Sequence, residues 1–488
     1  MKAKCVMVLG TASGVGKSWV TTALCRWYAQ QGYKVAPFKA QNMSNNARVV
    51  ASNNGLGEIG SAQYFQALAS RAEPDVRMNP LLLKPEADTH SQVVLLGEVN
   101  HALTQTPWRE RSEKVWPHIA GALDALRAEN DIVVIEGAGS PAEINLMDSD
   151  IVNLRVARHA NARCVLVADI DKGGAFAHIY GTWALLSPED KALIQGFVLN
   201  KFRGDIRLLA PAPQMLENIT NVPTLAVLPM WWQHGLPEED GVFDDKHRAT
   251  GPITKKVAVI AYPRISNLDE FQPLKNVSGL RLIWARSPSD LAGLGKDDWI
   301  ILPGSKNTIN DLLWLRSQKL DQCIVEHASN GNFVLGICGG LQILGEALID
   351  THGVDGNAPG LGLLALVTSF EPTKTVKRTV TKLGQVRGVL SALSDIELSG
   401  YEIHHGQTSA HQDMLAKGKV VHEIAANLAW QNESGNVAGM YLHGLFENPA
   451  VLKTLFGAET VTLESVFDGL ADFLEQHMSA DVLRKLIA

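Results

Sequence analysis

Cys338 stands in 336-GICGGLQILGEAL, directly after the apolar run 333-FVLG. Small residues at Gly336 and Gly340 allow a tight strand-to-helix turn that exposes Sγ and places backbone amides and the positive end of a helix beside it. A cysteine so placed is a nucleophile, and a nucleophile of this kind needs a base. His443, in 438-AGMYLHGLFEN, is the prime candidate, because it follows a short apolar strand and precedes a glycine. The pair His404 and His405 in 400-GYEIHHG is the rival, for the base or for a substrate or structural role. Glu447, four residues beyond His443, is a candidate for orienting the imidazole. The turn 303-PGSKNT follows another strand, and its Gly304 and Ser305 amides, with that of Gly339, would make an oxyanion hole.

A second constellation lies at the start of the chain. The apolar run 4-KCVMVL leads into 10-GTASGVGKS and then into the helix-like 19-WVTTALCRWYAQQG. Gly10, Gly14 and Gly16 permit turns whose amides face phosphate oxygens, Lys17 reaches the terminal phosphates, and Ser18 is suited to ligate Mg²⁺. The loop is one residue longer than the usual GxxxxGK[ST] spacing. Acidic partners for a metal end later apolar runs: Glu136 after 132-IVVI, and Asp169 and Asp171 in 163-RCVLVADID. Strand carboxyl ends line the ligand crevice of open α/β sheets. This marks Ser18, Glu136 and Asp169 as metal candidates, with solvated loop-capping acids as the competing reading for Asp169 and Asp171. Asn200 and Lys201, ending 197-FVLNK, are candidates for the nucleotide-base border.

Two polar loops look built for a polar small molecule. The segment 37-PFKAQNMSNNA carries Lys39, Gln41 and Asn42, and 79-NPLLLKPEADTHSQV carries Lys84 and Asp88. With Asp171 these are substrate candidates; loops satisfying their own backbone are the alternative.

The elements that must position these residues follow from the apolar pattern. Short apolar runs alternate with helix-length segments from Lys4 to about Leu228, which predicts buried parallel strands in a doubly wound α/β sheet. The texture turns polar and Gly/Pro-containing before 256-KVAVIAY opens a second α/β series through 281-RLIWARS, 299-WIILPGS, 333-FVLGIC and 438-AGMYLHG. The expected division is 1–235, a linker at 236–250, a second domain at 251–448, and a helical segment at 449–488 packed on that second domain. The chain of 488 residues is 46% hydrophobic and 19% charged, enough apolar material for large cores, which excludes a disordered or fibrous chain. Five scattered cysteines form no disulfide framework or paired metal site, and no signal peptide or run of about 18 apolar residues is present, so a cytoplasmic protein is expected. The balance of 44 Lys and Arg against 51 Asp and Glu, net −7, with no basic block, argues against nucleic acid as a partner. The oligomeric state is not legible.

Together these motifs resemble the glutamine-hydrolysing cobyric acid synthase family. The markers are 10-GTASGVGKS, 38-FKAQNM, 58-EIGSAQ, 79-NPLLLKP with 88-DTHSQV, 136-EGAGSPAEIN, 169-DIDKGG, 198-VLNKFRGD, 303-PGSKNT, 336-GICGGLQ, 400-GYEIHHG and 441-YLHGLFEN, spread over nearly the whole chain. The resemblance implies a dethiobiotin-synthetase-like P-loop domain, with Gly14, Gly16, Lys17, Ser18, Asn200 and Lys201 at ATP, followed by a class I glutamine amidotransferase-like α/β domain. It implies ATP- and glutamine-dependent amidation, with Mg²⁺, of the b, d, e and g carboxylates of adenosylcobyrinic acid a,c-diamide, a corrinoid. Cys338 matches the family nucleophile and His443 its base. Two departures stand out: Gly14 replaces an aspartate common in related phosphate loops, and Leu445 replaces the glutamate usual two residues after the histidine. The alternatives are a cobyrinic acid a,c-diamide synthase-like enzyme and a non-enzymatic nucleotide-gated scaffold.

Overall fold

In the computed structural model, which describes residues 2–52, 55–87, 89–232, 234–237, 252–458 and 461–488, two parallel sheets carry the two constellations. Asp88 and most of the 236–250 connection lie outside the described residues. The six apolar runs of the first half become Lys4–Gly10, Val35–Phe38, Ile132–Glu136, Arg163–Asp169, Ile194–Phe202 and Thr224–Pro229, all in one six-stranded parallel sheet. Lys4–Gly10 is central, with Ile132–Glu136 on one side and Arg163–Asp169 on the other. The registers Val8 with Glu136 and Gly10 with Val167 bring the phosphate-loop turn, Glu136 and Asp169 to one sheet end.

The second sheet has seven strands. Lys255–Ile260, Leu280–Ala285, Trp299–Leu302, Phe333–Ile337 and Val437–Met440 are parallel, and Ala429–Asn432 and Val421–Ala425 add an antiparallel edge. Central strands are buried at every position, so the apolar runs identify them; the edge pair is half polar and gives no such run. A long hairpin, Leu366–Lys382 with Glu397–Ala410, leaves this domain and reaches the first, where Arg378 Nε donates to Val49 O at 3.2 Å.

The expectation for the C-terminal segment is corrected. Pro449–Phe456 stays on the second domain, but Leu463–His477 and Ala480–Lys485 cross back to the first. Val466, Phe467, Leu470 and Leu474 pack with Val20, Leu24 and Trp27 of the phosphate-loop helix. The buried Arg26 pairs with Glu464 and Asp468, and the Tyr28 hydroxyl donates to Leu483 O at 2.9 Å. Amphipathic periodicity identifies the apolar stripe of such a helix but not which of two cores will bury it. Among the described residues, no helix is long and apolar enough to cross a membrane. All five cysteines are free; burial pushes the Cys5 thiol up to about 11 and the Cys25 thiol up to about 12, the behaviour of inert core residues.

Candidate active sites

Phe333–Ile337 ends at Cys338, whose backbone sits at φ 50, ψ −106 ahead of the short helix Gly339–Leu344. Strained backbone of this kind persists only where its surroundings enforce it. Here the enforcement is close packing: a Cβ on Gly336 would lie 2.6 Å from the Gly340 carbonyl carbon, and one on Gly340 would lie 1.9 Å from Leu302 O. The Cys338 amide donates to Met440 O at 2.8 Å, and its thiol to Ile403 O at 3.6 Å. Because Val437–Met440 is the neighbouring parallel strand, the loop beyond it brings His443 to the same sheet end, where Cys338 is close enough to act on the titration of its imidazole.

The third member comes from elsewhere. Glu270, on the turn Leu268–Phe271, places Oε1 3.1 Å from His443 Nδ1, and its Oε2 accepts the Gly444 amide at 3.1 Å. Both side chains are shut off from solvent. Burial acts against the His443 cation, but the Glu270 charge, the neighbouring Cys338 and the hydrogen bond to Glu270 outweigh it and push the imidazole up to about 10. Glu447 does not orient His443; it pairs with Arg48 at 2.6 Å, and Leu445 is a core residue. The signal for Glu270 in the sequence is the acidic pair of 265-ISNLDEF, two charges set between Leu268 and Phe271.

Gly304 and Gly339 lie against this group. A Cβ on Gly304 would be 3.0 Å from His443 Cε1, and one on Gly339 would be 2.9 Å from the Ser305 nitrogen. The rival histidines are otherwise engaged. His404 holds Gly406 O at 2.8 Å and Glu402 Oε2 at 3.2 Å through its two nitrogens and stacks on Tyr441; His405 Nδ1 holds Glu371 O at 3.0 Å.

In the first domain the helix Lys17–Gln30 begins without a side-chain cap, leaving its first amides facing the loop. Gly14 and Gly16 take φ of 71 and 97, and a Cβ on Gly16 would lie 2.2 Å from Asn200 Nδ2. Lys17 Nζ donates to Ala12 O at 2.9 Å and Gly139 O at 3.1 Å. Ser18 Oγ donates to Glu136 Oε1 at 2.9 Å; the same oxygen accepts from Lys39 at 2.9 Å, and Oε2 accepts from Gln66 at 2.6 Å. Burial pushes the Glu136 carboxyl up, but Lys39 and these hydrogen bonds hold it below its usual range, so it is ionised.

Asn200 and Lys201 buttress the loop, donating to Val15 O at 2.9 Å and Gly14 O at 2.6 Å, and Lys201 also pairs with Asp169 at 3.1 Å. Asp169 thus faces Lys201, not Glu136. Asp171 pairs with Arg203 at the surface. Of the other polar-loop residues, Asn42 donates to Gln63 at 3.1 Å, Lys84 pairs with the buried Glu58 at 2.7 Å, and Gln41 is buried.

Residues 6–233 match the model of the CobQ/CobB/MinD/ParA nucleotide binding domain, and residues 256–451 that of the CobB/CobQ-like glutamine amidotransferase domain. The cobyric acid synthase of Variovorax paradoxus (strain S110) is 68% identical over 488 residues, covering 100% of both chains. That of Polaromonas naphthalenivorans (strain CJ2) is 68% identical over 489 residues, again covering 100% of both. That of Leptothrix cholodnii (strain ATCC 51168 / LMG 8142 / SP-6) is 58% identical over 504 residues, covering 100% of this chain and 97% of its own. The chain belongs to the cobyric acid synthase family. Like its relatives it is a glutamine-using carbon–nitrogen ligase, with a P-loop nucleotide-binding half and a class I amidotransferase half.

The nucleotide-binding half of this family member suits a nucleotide and a divalent cation. An uncapped helix start, left-handed glycines and a lysine beside loop carbonyls fit a phosphate chain. The hard oxygens of Ser18 and the ionised Glu136, touching each other at that loop, fit Mg²⁺.

Proposed function

We propose that this protein amidates the b, d, e and g carboxylates of adenosylcobyrinic acid a,c-diamide, drawing nitrogen from glutamine at Cys338 and driving force from ATP at the Gly14–Ser18 loop. The observation that carries the reading is the Cys338–His443–Glu270 group on a strained elbow, in one chain with the Ser18–Glu136 phosphate loop.

Cys338 Sγ attacks the side-chain carbonyl carbon of glutamine, with its proton held on His443 Nε2. The negative oxygen that forms faces the Ser305 and Gly339 amides at the turn opened by Gly304. His443, charged at neutral pH, delivers the proton to the departing nitrogen, and Glu270 keeps its ring in register. Water, deprotonated by His443, then releases glutamate from the thioester.

In the other half, a corrin carboxylate oxygen attacks the γ-phosphorus of ATP and ADP departs. Lys17 and the helix amides hold the phosphate charge through this transfer. Ser18 and Glu136 would hold Mg²⁺, with Asp169 at the neighbouring strand end, and the ion would supply further charge neutralisation on the phosphate oxygens. Asn200 and Lys201 set the loop's shape at the edge of the nucleotide. Ammonia displaces phosphate from the acyl phosphate to give the amide. Lys39, Gln41, Asn42, Lys84 and Asp171 are the polar groups proposed to take part in corrin binding.

The test is to incubate the protein with ATP, Mg²⁺, glutamine and adenosylcobyrinic a,c-diamide and follow the corrinoid by mass. Four successive amidations are expected; amidation of cobyrinic acid at a and c alone, or glutaminase activity with no corrinoid change, would overturn the assignment.

A further inference from the structure

Arg48 belongs to the first domain, on the strand Ala47–Ser52, yet its side chain is buried among residues of the second. Its guanidinium pairs with Asp269, the residue before Glu270, and binds Glu447 through two nitrogens, at 2.9 and 2.6 Å. It lies over the Tyr401 ring, 5.0 Å from the centroid, and that ring stacks on His443 at 5.2 Å and 20°. Tyr401 and His443 are also tied by reciprocal backbone hydrogen bonds of 3.3 and 2.9 Å. The backbone beside Arg48 is clamped to the same turn: the Ala47 amide donates to Asn267 Oδ1 at 2.9 Å, and the Leu268 amide to Asn46 Oδ1 at 3.0 Å.

Arg48 therefore holds the segments that present both His443 and Glu270 while its own ion pairs go to other side chains. The charges around it make this more than packing. The buried Asp269 and Glu270 and the partly exposed Glu447 put three carboxylates in one neighbourhood, compensated by Arg48 and by His443. Tyr64 and Phe65 close the first-domain side with their rings 5.5 and 5.0 Å from the guanidinium. Burial already pushes the Glu447 carboxyl up, and Asp269 and Glu270 add to this, with Arg48 opposing them. Without Arg48 the group has one cation for three carboxylates, and protonation or displacement of one follows.

We propose that Arg48 is a positioning residue for glutamine hydrolysis, supplied by the nucleotide-binding domain, so that the Cys338–His443–Glu270 group is aligned only when the strand Ala47–Ser52 is docked against it. The inference rests on the reading of that group as the glutaminase site.

The test compares full-length Arg48→Met and Arg48→Lys with the parent, measuring glutaminase kcat and KM from acid to alkaline pH and amidation driven by ammonium chloride. Arg48→Met is expected to lose about 10–100-fold in glutaminase kcat while ammonia-driven amidation stays within about twofold. The acid limb of its kcat/KM moves to higher pH, because a carboxylate deprived of its cation holds a proton longer, and Arg48→Lys restores part of kcat. Glu447→Gln, which leaves Arg48 its Asp269 partner, is expected to give a smaller loss of the same kind, and it decides the matter if Arg48→Met does not fold. Equal losses with glutamine and with ammonia, or an unchanged glutaminase rate and pH profile, would overturn the proposal. Retention of glutamine-driven turnover by Cys338→Ala would overturn the underlying reading instead.

Discussion

His443 Nδ1 lies 3.1 Å from Glu270 Oε1, a pair sealed from solvent and formed by residues 173 positions apart. Glu270 supplies the carboxylate beside the histidine from a distant turn, while the core residue Leu445 occupies the position two residues after it. Glu270→Gln keeps the shape but removes the charge that fixes the imidazole. Glutamine-driven turnover is expected to fall by about 10²–10⁴-fold, with ammonia-driven amidation retained. Parallel assays with the two nitrogen donors check this.

The same pair makes stability depend on pH. The folded His443 titrates at about 10 against an ordinary 6.5, so the folded state binds the proton more tightly than the unfolded state. Its contribution is fully present below pH 6.5 and is lost as pH rises through about 10. Urea midpoints measured across that window should fall with pH in the parent, and fall less in Glu270→Gln.

On the proposed reading, Lys17 and Glu136 act only in the nucleotide half. Lys17→Ala and Glu136→Gln are each expected to reduce amidation by about 10²–10³-fold even with ammonia supplied, since both remove preorganised charge from phosphoryl transfer. Uncoupled glutaminase activity should persist. An equal loss of both activities would place these residues in the fold and not in the chemistry.

Gly340 has no room for a side chain, with Leu302 O 1.9 Å from a Cβ. Gly340→Ala is expected to cost about 1–3 kcal/mol and to displace the Cys338 turn. Denaturation curves and alkylation of Cys338 by iodoacetamide read the two effects separately.

Phe467 is buried between the C-terminal helix and the phosphate-loop helix. Phe467→Ala is expected to destabilise the first domain by about 3–5 kcal/mol. Earlier proteolysis within residues 2–232, with residues 252–458 unaffected, would be the signature.

Much of this protein is legible in the order of its amino acids. Buried parallel strands must be apolar along their whole length, so 4-KCVMVLG and 333-FVLG announce themselves, and a tight turn must use small residues, so the glycines around Lys17 and Cys338 mark both sites. His443 is legible for a related reason: it follows an apolar strand that had to join the Cys338 strand in the sheet. What escapes a reading of the residues depends on distance through space. Nothing local to Glu270 says that it will meet His443, nothing in Arg48 says that it will cross a domain boundary, and the apolar stripe of Leu463–His477 fits either core equally well. Strands, turns and reactive groups are written into short segments, because they follow from local sterics and periodicity. Which charges share a buried site, and which core receives the last helices, is set only when the chain packs, because burial and charge pairing are properties of the packed whole.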